Sequence, residues 1–342
     1  MKNIILISIF SLIIVFISIF SLIFAFHFLN SPAASIPEQG YEIEVKPGAT
    51  INSMAKILKK QKLIRSVNFL KIYIKLARPG THIKTGFYWI EPDDSTVKIV
   101  NKMIKGDTVK IKVTFPEGFT VKHIIKRLVE KKVISPDQAA AFNSHEGLSE
   151  KYNHNFKTLE GFLFPDTYLF AKGTEITRII KHLLSQFYLT LTYLDIDIKE
   201  YSSEELYNKI ILASLVERET KDPAEAALIA GVFLERLRRG IKLQSCATIQ
   251  YILDKPKEFL LFKDLEILNP YNTYIYKGFP PGPICNPGKI ALKAAFFPHK
   301  TDYLFFVKKD NNTHYFSKTY KEHLNAQQRF QASIEYQWQK AN

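Results

Sequence analysis

Apolar and polar positions divide the chain into segments of different texture. From Ile4 to Phe26 it reads IILISIFSLIIVFISIFSLIFAF, interrupted only by serines, with no charge, glycine or proline. A helix rising about 1.5 Å per residue needs roughly 20 such residues to cross a hydrocarbon core, so the run predicts a transmembrane helix. The serines do not spoil it, because a hydroxyl bonds back to the preceding turn. Lys2 and the amino terminus precede the run, whereas Glu38, Glu42 and Glu44 follow it before Lys46 appears. By the positive-inside rule the N-terminus is cytoplasmic and the remainder lies outside. A cleaved secretory signal is the rival reading, since Pro32-Ala33-Ala34-Ser35 has the small residues of a cleavage site. Signal cores run about 7–15 residues, and this one is longer.

Beyond residue 40 the periods change. YEIEV followed by Pro47-Gly48 predicts a strand and a turn, and an amphipathic helix starts near Thr50. A second helix spans Val67–Leu76, and GFYWIEP reads as an aromatic strand. Ser95 caps a third helix, with Val97, Ile99, Val100 and Ile104 at helical spacing and Gly106 as its stop. Then KIKVTFPEGFTVKHIIKRLVEKKVI repeats the order strand, Pro-x-Gly turn, helix, an internal echo of a small unit. From about 140 to 205 the pattern is mixed and mostly helical. ELYNKIILASLVERET is apolar on nearly every face from Ile210 to Val216, which marks a buried helix. The next helix is punctuated by Asp222 as N-cap, Pro223 at the first position and Gly240 at the C-cap. Its stripe of Ala227, Ala230, Gly231, Leu234 and Leu237 allows close packing, and Arg236, Arg238 and Arg239 stand at its exposed end.

Charge and cysteine content narrow the partners. The 47 basic residues outweigh 33 acidic ones, a formal net charge of +14. On an exported chain this suits anionic lipid head groups or an anionic wall polymer. It does not suit nucleic acid, for which neither a stacking motif nor a zinc spacing appears. Two cysteines, Cys246 and Cys285, are too few for a disulfide scaffold. The nine histidines are scattered, without HExxH or paired spacing, so no metal is expected.

Chemistry concentrates after residue 205. Glu217 and Glu219 stand at the C-terminal end of the buried helix, about 200° apart around its axis. One enters a cleft, and the other faces solvent or a cation such as Arg218 or Lys221. A carboxylate at the end of an apolar helix is desolvated, and nearby helix carbonyls disfavour its charge. Both effects raise its pKa, as a general acid near neutrality requires. Helix geometry alone leaves open which glutamate it is. The later stretch NPYNTYIYKGFPPGPICNPG is dense in Asn, Tyr, Gly and Pro without a period, the composition of an ordered binding loop.

Five segments carry a family resemblance: LEGFLFPDTYLF (159–170), ILASLVERET (211–220), VFLERLRRGIKLQS (232–245), YNTYIYKGFPPGPICNPG (271–288) and ALKAAFFPHKTDYLFFV (291–307). In this order the chain resembles the endolytic murein transglycosylases, the MltG or YceG-like family. The resemblance extends to the anchor, the KPGAT turn and the KTGFYWI strand.

That resemblance implies an α+β fold: transmembrane helix, small LysM-like α+β modules, then a mixed α/β catalytic domain with a lytic-transglycosylase-type cleft. The implied organisation is an anchor over 1–30, a linker over 31–40, a LysM-like module over 41–107 and a catalytic domain over 108–342. Within the last, 108–140 is the second strand-turn-helix unit and 205–310 the active-site core. The family's catalytic glutamate, the second of E-x-E-T, falls on Glu219. Matching cleft positions, implied to bind substrate, are Gln244, Thr248, Tyr271, Asn272, Thr273, Pro280, Pro281, Gly282 and Asn286. Glu217, Glu160 and Asp166 are secondary candidates. The implied activity needs no cofactor. It cuts the MurNAc-β-1,4-GlcNAc bond of nascent strands to leave 1,6-anhydro ends, beside the peptidoglycan synthesis machinery at the bacterial cytoplasmic membrane. Where the family reads L-Q-[ST]-D-P-T, this chain has Cys246 and Ala247 in place of Asp and Pro, which puts any role of that aspartate in doubt. Cys246 and Cys285 both fall in these motifs, so a disulfide between them is a further expectation. The rivals are a two-carboxylate muramidase using Glu160 or Asp166, and a tethered glycan-binding scaffold without catalysis.

Overall fold

The computed structural model describes residues 2–33, 36–142, 156–253, 255–310 and 313–341, and its contacts divide the chain into two units. Unit 1 comprises residues 1–111 with 169–174, and unit 2 comprises 112–168 with 175–342.

Unit 1 opens with helix α1 (Lys2–Asn30), whose Ile5–Asn30 part is apolar and long enough to cross a membrane. Strand β1 (Tyr41–Val45) pairs antiparallel with β2 (Gly86–Ile90), Tyr41 opposite Ile90 and Val45 opposite Gly86. Between them lie α2 (Ile51–Lys60) and α3 (Val67–Ala77), and α4 (Thr96–Lys105) follows. The caps are those the sequence predicts. Thr50 accepts from the Ser53 N–H and Ser95 from the Lys98 N–H, while Gly106 closes α4 at φ 77°, a left-handed conformation that suits glycine. Met54, Ala55, Leu58, Leu70, Tyr88, Ile99 and Met103 make the core. Ala33 and Ile36, in the segment expected to be a linker, are buried in that same core.

The chain leaves unit 1 within β3 (Lys110–Thr114), which pairs with β4 (Thr167–Ala171). The internal echo is real at the level of hydrogen bonds. In α2 and in α5 (Val121–Glu130) a threonine caps the start, after Gly48 at φ 77° and Gly118 at φ 79°. Each helix ends on a left-handed lysine, Lys62 or Lys132, followed by the same backward bond, Leu63 N–H to Leu58 O and Val133 N–H to Leu128 O. A short α6 (Pro136–Ala140) comes next. Strand β4 lies in a stretch expected to be mostly helical. Its alternation of buried Tyr168 and Phe170 is too short to read, and pairing across 53 residues, sealed by Thr114 Oγ1 and Thr167 Oγ1 at 2.8 Å, decides its form. Within that mixed stretch, residues 143–155 lie outside the described residues.

Unit 2 is built on α7 (Ile176–Tyr193), α8 (Ser203–Glu219), α9 (Pro223–Arg238) and α12 (Lys289–Phe296), with the short α10 (Cys246–Ile252) and α11 (Phe262–Leu265) between. Helix α8 is buried from Ile210 to Glu217 and packs on α9, α10 and α12. On α9 the predicted small stripe is used at Gly231, where an added Cβ would collide with the His299 carbonyl. Arg236, expected at an exposed end, instead turns inward and bonds Gln244 Oε1 at 2.6 Å, while Arg238 and Arg239 pair with Glu235. A hairpin, β5 (Phe305–Lys308) with β6 (His314–Ser317), and helix α13 (Tyr320–Ala341) complete the unit.

Candidate active site

Helix α8 carries its two glutamates to one end, and both line a cavity of 590 Å³. Arg218, Thr220, Lys221, Asp222, Lys308, Asp310 and His314 complete the lining. After Glu219 the chain turns extended at Thr220, whose hydroxyl accepts the Asp222 N–H and so starts α9 two residues later. The β5–β6 hairpin supplies Lys308 and His314. His314 is fixed by Glu225 in the first turn of α9, with its N–H at 2.8 Å and Nδ1 at 2.7 Å from the carboxylate.

The two carboxylates have different neighbours. Glu217 is 7% exposed, with Lys221 and Arg218, the cations expected beside one of the pair, close enough to oppose its burial. Its Oε2 accepts the Gly288 N–H at 2.9 Å, at the start of α12, where a glycine N-cap offers no side chain. Burial, aided by Glu117 nearby, pushes its pKa to about 7. Glu219 is half-buried, and Ser245 Oγ donates to its Oε1 at 2.7 Å. Among the described residues no protein group hydrogen-bonds its Oε2. Burial raises the Glu219 pKa, against the opposing pull of Ser245, His314, Lys308 and Arg218. A carboxyl group of this kind holds its proton to higher pH than a solvated one and has one oxygen unengaged.

Ser245 was not singled out from the sequence, although Gln244 and Thr248 on either side of it were. It is buried, its N–H bonds Thr273 Oγ1 at 3.0 Å, and its carbonyl accepts from Thr248 Oγ1 at 2.7 Å. Thr248 and Thr273 hydroxyls meet at 3.0 Å. These two threonines therefore stand behind Ser245 and fix the hydroxyl that holds Glu219. The signal for Ser245 was its place immediately before α10, an N-cap position whose hydroxyl is left free for another partner.

The other sequence candidates divide by burial. Gln244 is exposed and left-handed at φ 51°, with its N–H on Thr273 O. Tyr271 is half-buried, its ring 5.0 Å from that of Tyr251, and Pro281 is exposed. Asn272 is buried and donates to Leu265 O and Ile267 O, holding its own loop. Gly282 is buried where a Cβ would press on the Tyr207 and Tyr271 hydroxyls, and Pro280 is buried beside it. Asn286 is fully buried. It accepts from the Gly161 and Leu163 N–H groups and donates to Phe119 O and Glu160 Oε1. Glu160 in turn accepts the Val121 N–H at 3.1 Å and so caps α5, with its pKa pushed by burial to about 8. Asp166 is exposed in the turn before β4 and takes the Thr167 N–H.

The expected disulfide is absent. Both cysteines are free thiols: Cys246 is exposed with Sγ 3.0 Å from Tyr274 Oη, and Cys285 is buried with Sγ toward Ser214 O. They sit on different elements, α10 and the loop before α12, and each is engaged by its own neighbour. Outside unit 2, the described carboxylates that come closest together are Glu91, Asp93 and Asp94. Lys98 and Lys102 already pair with them, Lys102 at 2.6 Å from Asp94.

The chain is similar to known proteins. The model of the YceG-like family matches residues 43–329. A protein of Bacillus subtilis (strain 168) named endolytic murein transglycosylase is 34% identical over 313 residues, covering 85% of this chain and 85% of that one. A protein of the same name from Streptococcus pneumoniae (strain ATCC BAA-255 / R6) is 29% identical over 298 residues, 78% of this chain but 53% of its own length. Among solved structures, a YceG-like protein of Listeria monocytogenes has 30% identity and a TM-score of 0.51, covering 84% of this chain and 99% of that chain.

Proposed function

This chain belongs to the YceG-like family, and from that premise we propose that it is a membrane-anchored endolytic lytic transglycosylase acting on peptidoglycan. The observation that carries the reading is Glu219: a half-buried carboxyl whose pKa is raised, held by one serine, in a cavity lined with cations. Protonated Glu219 gives its proton to the glycosidic oxygen between N-acetylmuramic acid and N-acetylglucosamine as that bond breaks. The resulting carboxylate then takes the proton of the muramoyl C6 hydroxyl, which closes on C1 as a 1,6-anhydro ring. One carboxyl group serves both steps because the nucleophile belongs to the substrate, whereas hydrolases use two. Opposed influences on Glu219, burial against Ser245 and the nearby cations, suit a group that must give and then regain a proton.

Arg218, Lys221 and Lys308 offer positive charge to the anionic strand. Gln244, Tyr271 and Pro281 keep exposed surface and are the family positions proposed to meet the glycan. Thr248, Asn272, Thr273, Gly282 and Asn286 act behind that surface. In unit 1 the strands β1 and β2 with α2 and α3 between them support a LysM-like glycan-binding role. Helix α1 holds the protein in the cytoplasmic membrane with its N-terminus inside, beside the synthesis machinery that releases nascent strands.

The two-carboxylate alternative finds less support. Glu160 is committed to capping α5, Asp166 is exposed in a turn, and neither lines the cavity of Glu219. Mass spectrometry of products from purified peptidoglycan decides. We expect 1,6-anhydro ends. Reducing ends carrying ¹⁸O from labelled water would make it a hydrolase, and no new ends would leave a glycan-binding scaffold.

A further inference from the structure

Helix α1 does not end in a free tether. Its last turn packs on unit 1: the Phe26 and Phe69 rings lie edge to face at 5.4 Å, and Arg65 covers the Phe28 ring at 4.9 Å. Arg65 also donates to Pro32 O, Asn30 Oδ1 accepts the Val97 N–H at 3.0 Å, and Thr96 Oγ1 donates to Leu29 O. Phe69, the residue that meets the outer end of the span, belongs to α3.

From that contact an apolar stripe runs outward along α3. Phe69, Ile72 and Leu76 lie within about 60° of one another on a helix of 100° per residue. Ile72 is 57% exposed and Leu76 76% exposed, although Leu70 and Ile74 on the opposite side are buried in the core. Exposed Lys75 borders the stripe, and half-buried Lys71 and the exposed C-cap Arg78 lie farther round on the same side. Exposed apolar residues beside cations, on a helix whose other face is already packed, are the pattern of a helix lying in a membrane interface. Cations at its edge reach anionic phosphates while their stems stay on the apolar side.

We propose that α3 lies in the outer headgroup layer of the membrane that α1 crosses, with Ile72 and Leu76 against the acyl chains and Lys71, Lys75 and Arg78 at the phosphates. The proposal rests on α1 being a membrane span, and continuity through Phe26 and Phe69 puts the start of α3 at the outer edge of that span. Unit 1 is thereby held by two points, a span and a surface helix. Its orientation to the bilayer is then fixed, which a single span does not do.

Nitroxide accessibility in the full chain tests this. In a Cys246→Ser background, with Cys285 buried, Ile72→Cys and Leu76→Cys are labelled in vesicles of phosphatidylglycerol and phosphatidylcholine. Val15→Cys in the span and Asp137→Cys on exposed α6 serve as lipid and water references. The expected oxygen-to-nickel accessibility ratio at 72 and 76 is several-fold above that at 137. A ratio equal to that at 137, with lipid-like values at 15, overturns the surface helix and leaves the anchor standing. Water-like values at 15 remove both. Dipolar broadening at 72 and 76 with little access to either reagent would put a second copy of the chain on the stripe and also overturn it. Both substituted positions are exposed, so the labels leave the core of unit 1 untouched.

Discussion

At the end of helix α8, desolvation and hydrogen bonding act on one carboxyl in opposite directions, and their balance sets what Glu219 does. Burial holds its proton, while the Ser245 hydroxyl favours the ionised form. Glu219→Gln is expected to lose about 10²-fold or more in turnover, the usual worth of a general acid–base group. Glu217→Gln still accepts the Gly288 N–H through its amide oxygen and should retain cleavage; equal losses in the two variants would undo the assignment. Ser245→Ala removes the largest influence lowering the Glu219 pKa. Because activity needs the protonated acid, its alkaline limb should then move to higher pH, with turnover falling about tenfold as roughly 1.4 kcal/mol of positioning is lost. An unmoved limb in anhydro-product release would show that Ser245 does not act through Glu219.

Between elements, single polar or missing side chains hold the packing that presents α8. Gly231 on α9 passes under the His299 carbonyl, so Gly231→Ala is expected to cost about 1–3 kcal/mol through overpacking. Asn286 satisfies two backbone donors and two acceptors from two separate stretches, and Asn286→Ala should cost at least about 2 kcal/mol. Glu160 adds a pH dependence. Its folded pKa of about 8 lies above the unfolded 4.5, so its contribution to stability is full below about 4.5 and is lost as pH rises toward 8. Glu217, at about 7, acts in the same direction. Thermal unfolding followed by circular dichroism should show a midpoint falling over this range. Glu160→Gln should flatten that fall, and a midpoint rising with pH would contradict burial of these two carboxyls as its cause.

For the molecule as a whole, the apolar α1 and a net charge of +14 act together. On the proposed reading, a basic surface on a tethered chain is drawn to anionic lipid and wall polymer, and the tether limits which glycan strands it meets. Ala33 and Ile36 are core residues of unit 1, so little free chain lies between span and fold. A form exported without residues 1–22, which keeps Phe26, Phe28 and Asn30 for their packing, is therefore expected to fail at native levels in restoring normal glycan length. Chromatography of released strands measures this, and full restoration would reduce the anchor to an address.

Local signals in the sequence determined the long apolar helix α1, the helices that begin at Thr50, Ser95, Thr120 and Asp222, the turns at Gly48 and Gly118, and the echo between α2 and α5. Each depends on bonds within five residues and on backbone preferences of single residue types, so a linear reading suffices. Helical period also put Glu217 and Glu219 on different sides. What each carboxylate meets was decided only by tertiary structure. Gly288 comes from 71 residues away and Ser245 from 26. Strand β4, the inward turn of Arg236 and the separate partners of Cys246 and Cys285 were settled in the same way. Burial and long-range partners set these outcomes, and neither is encoded in the spacing of nearby residues.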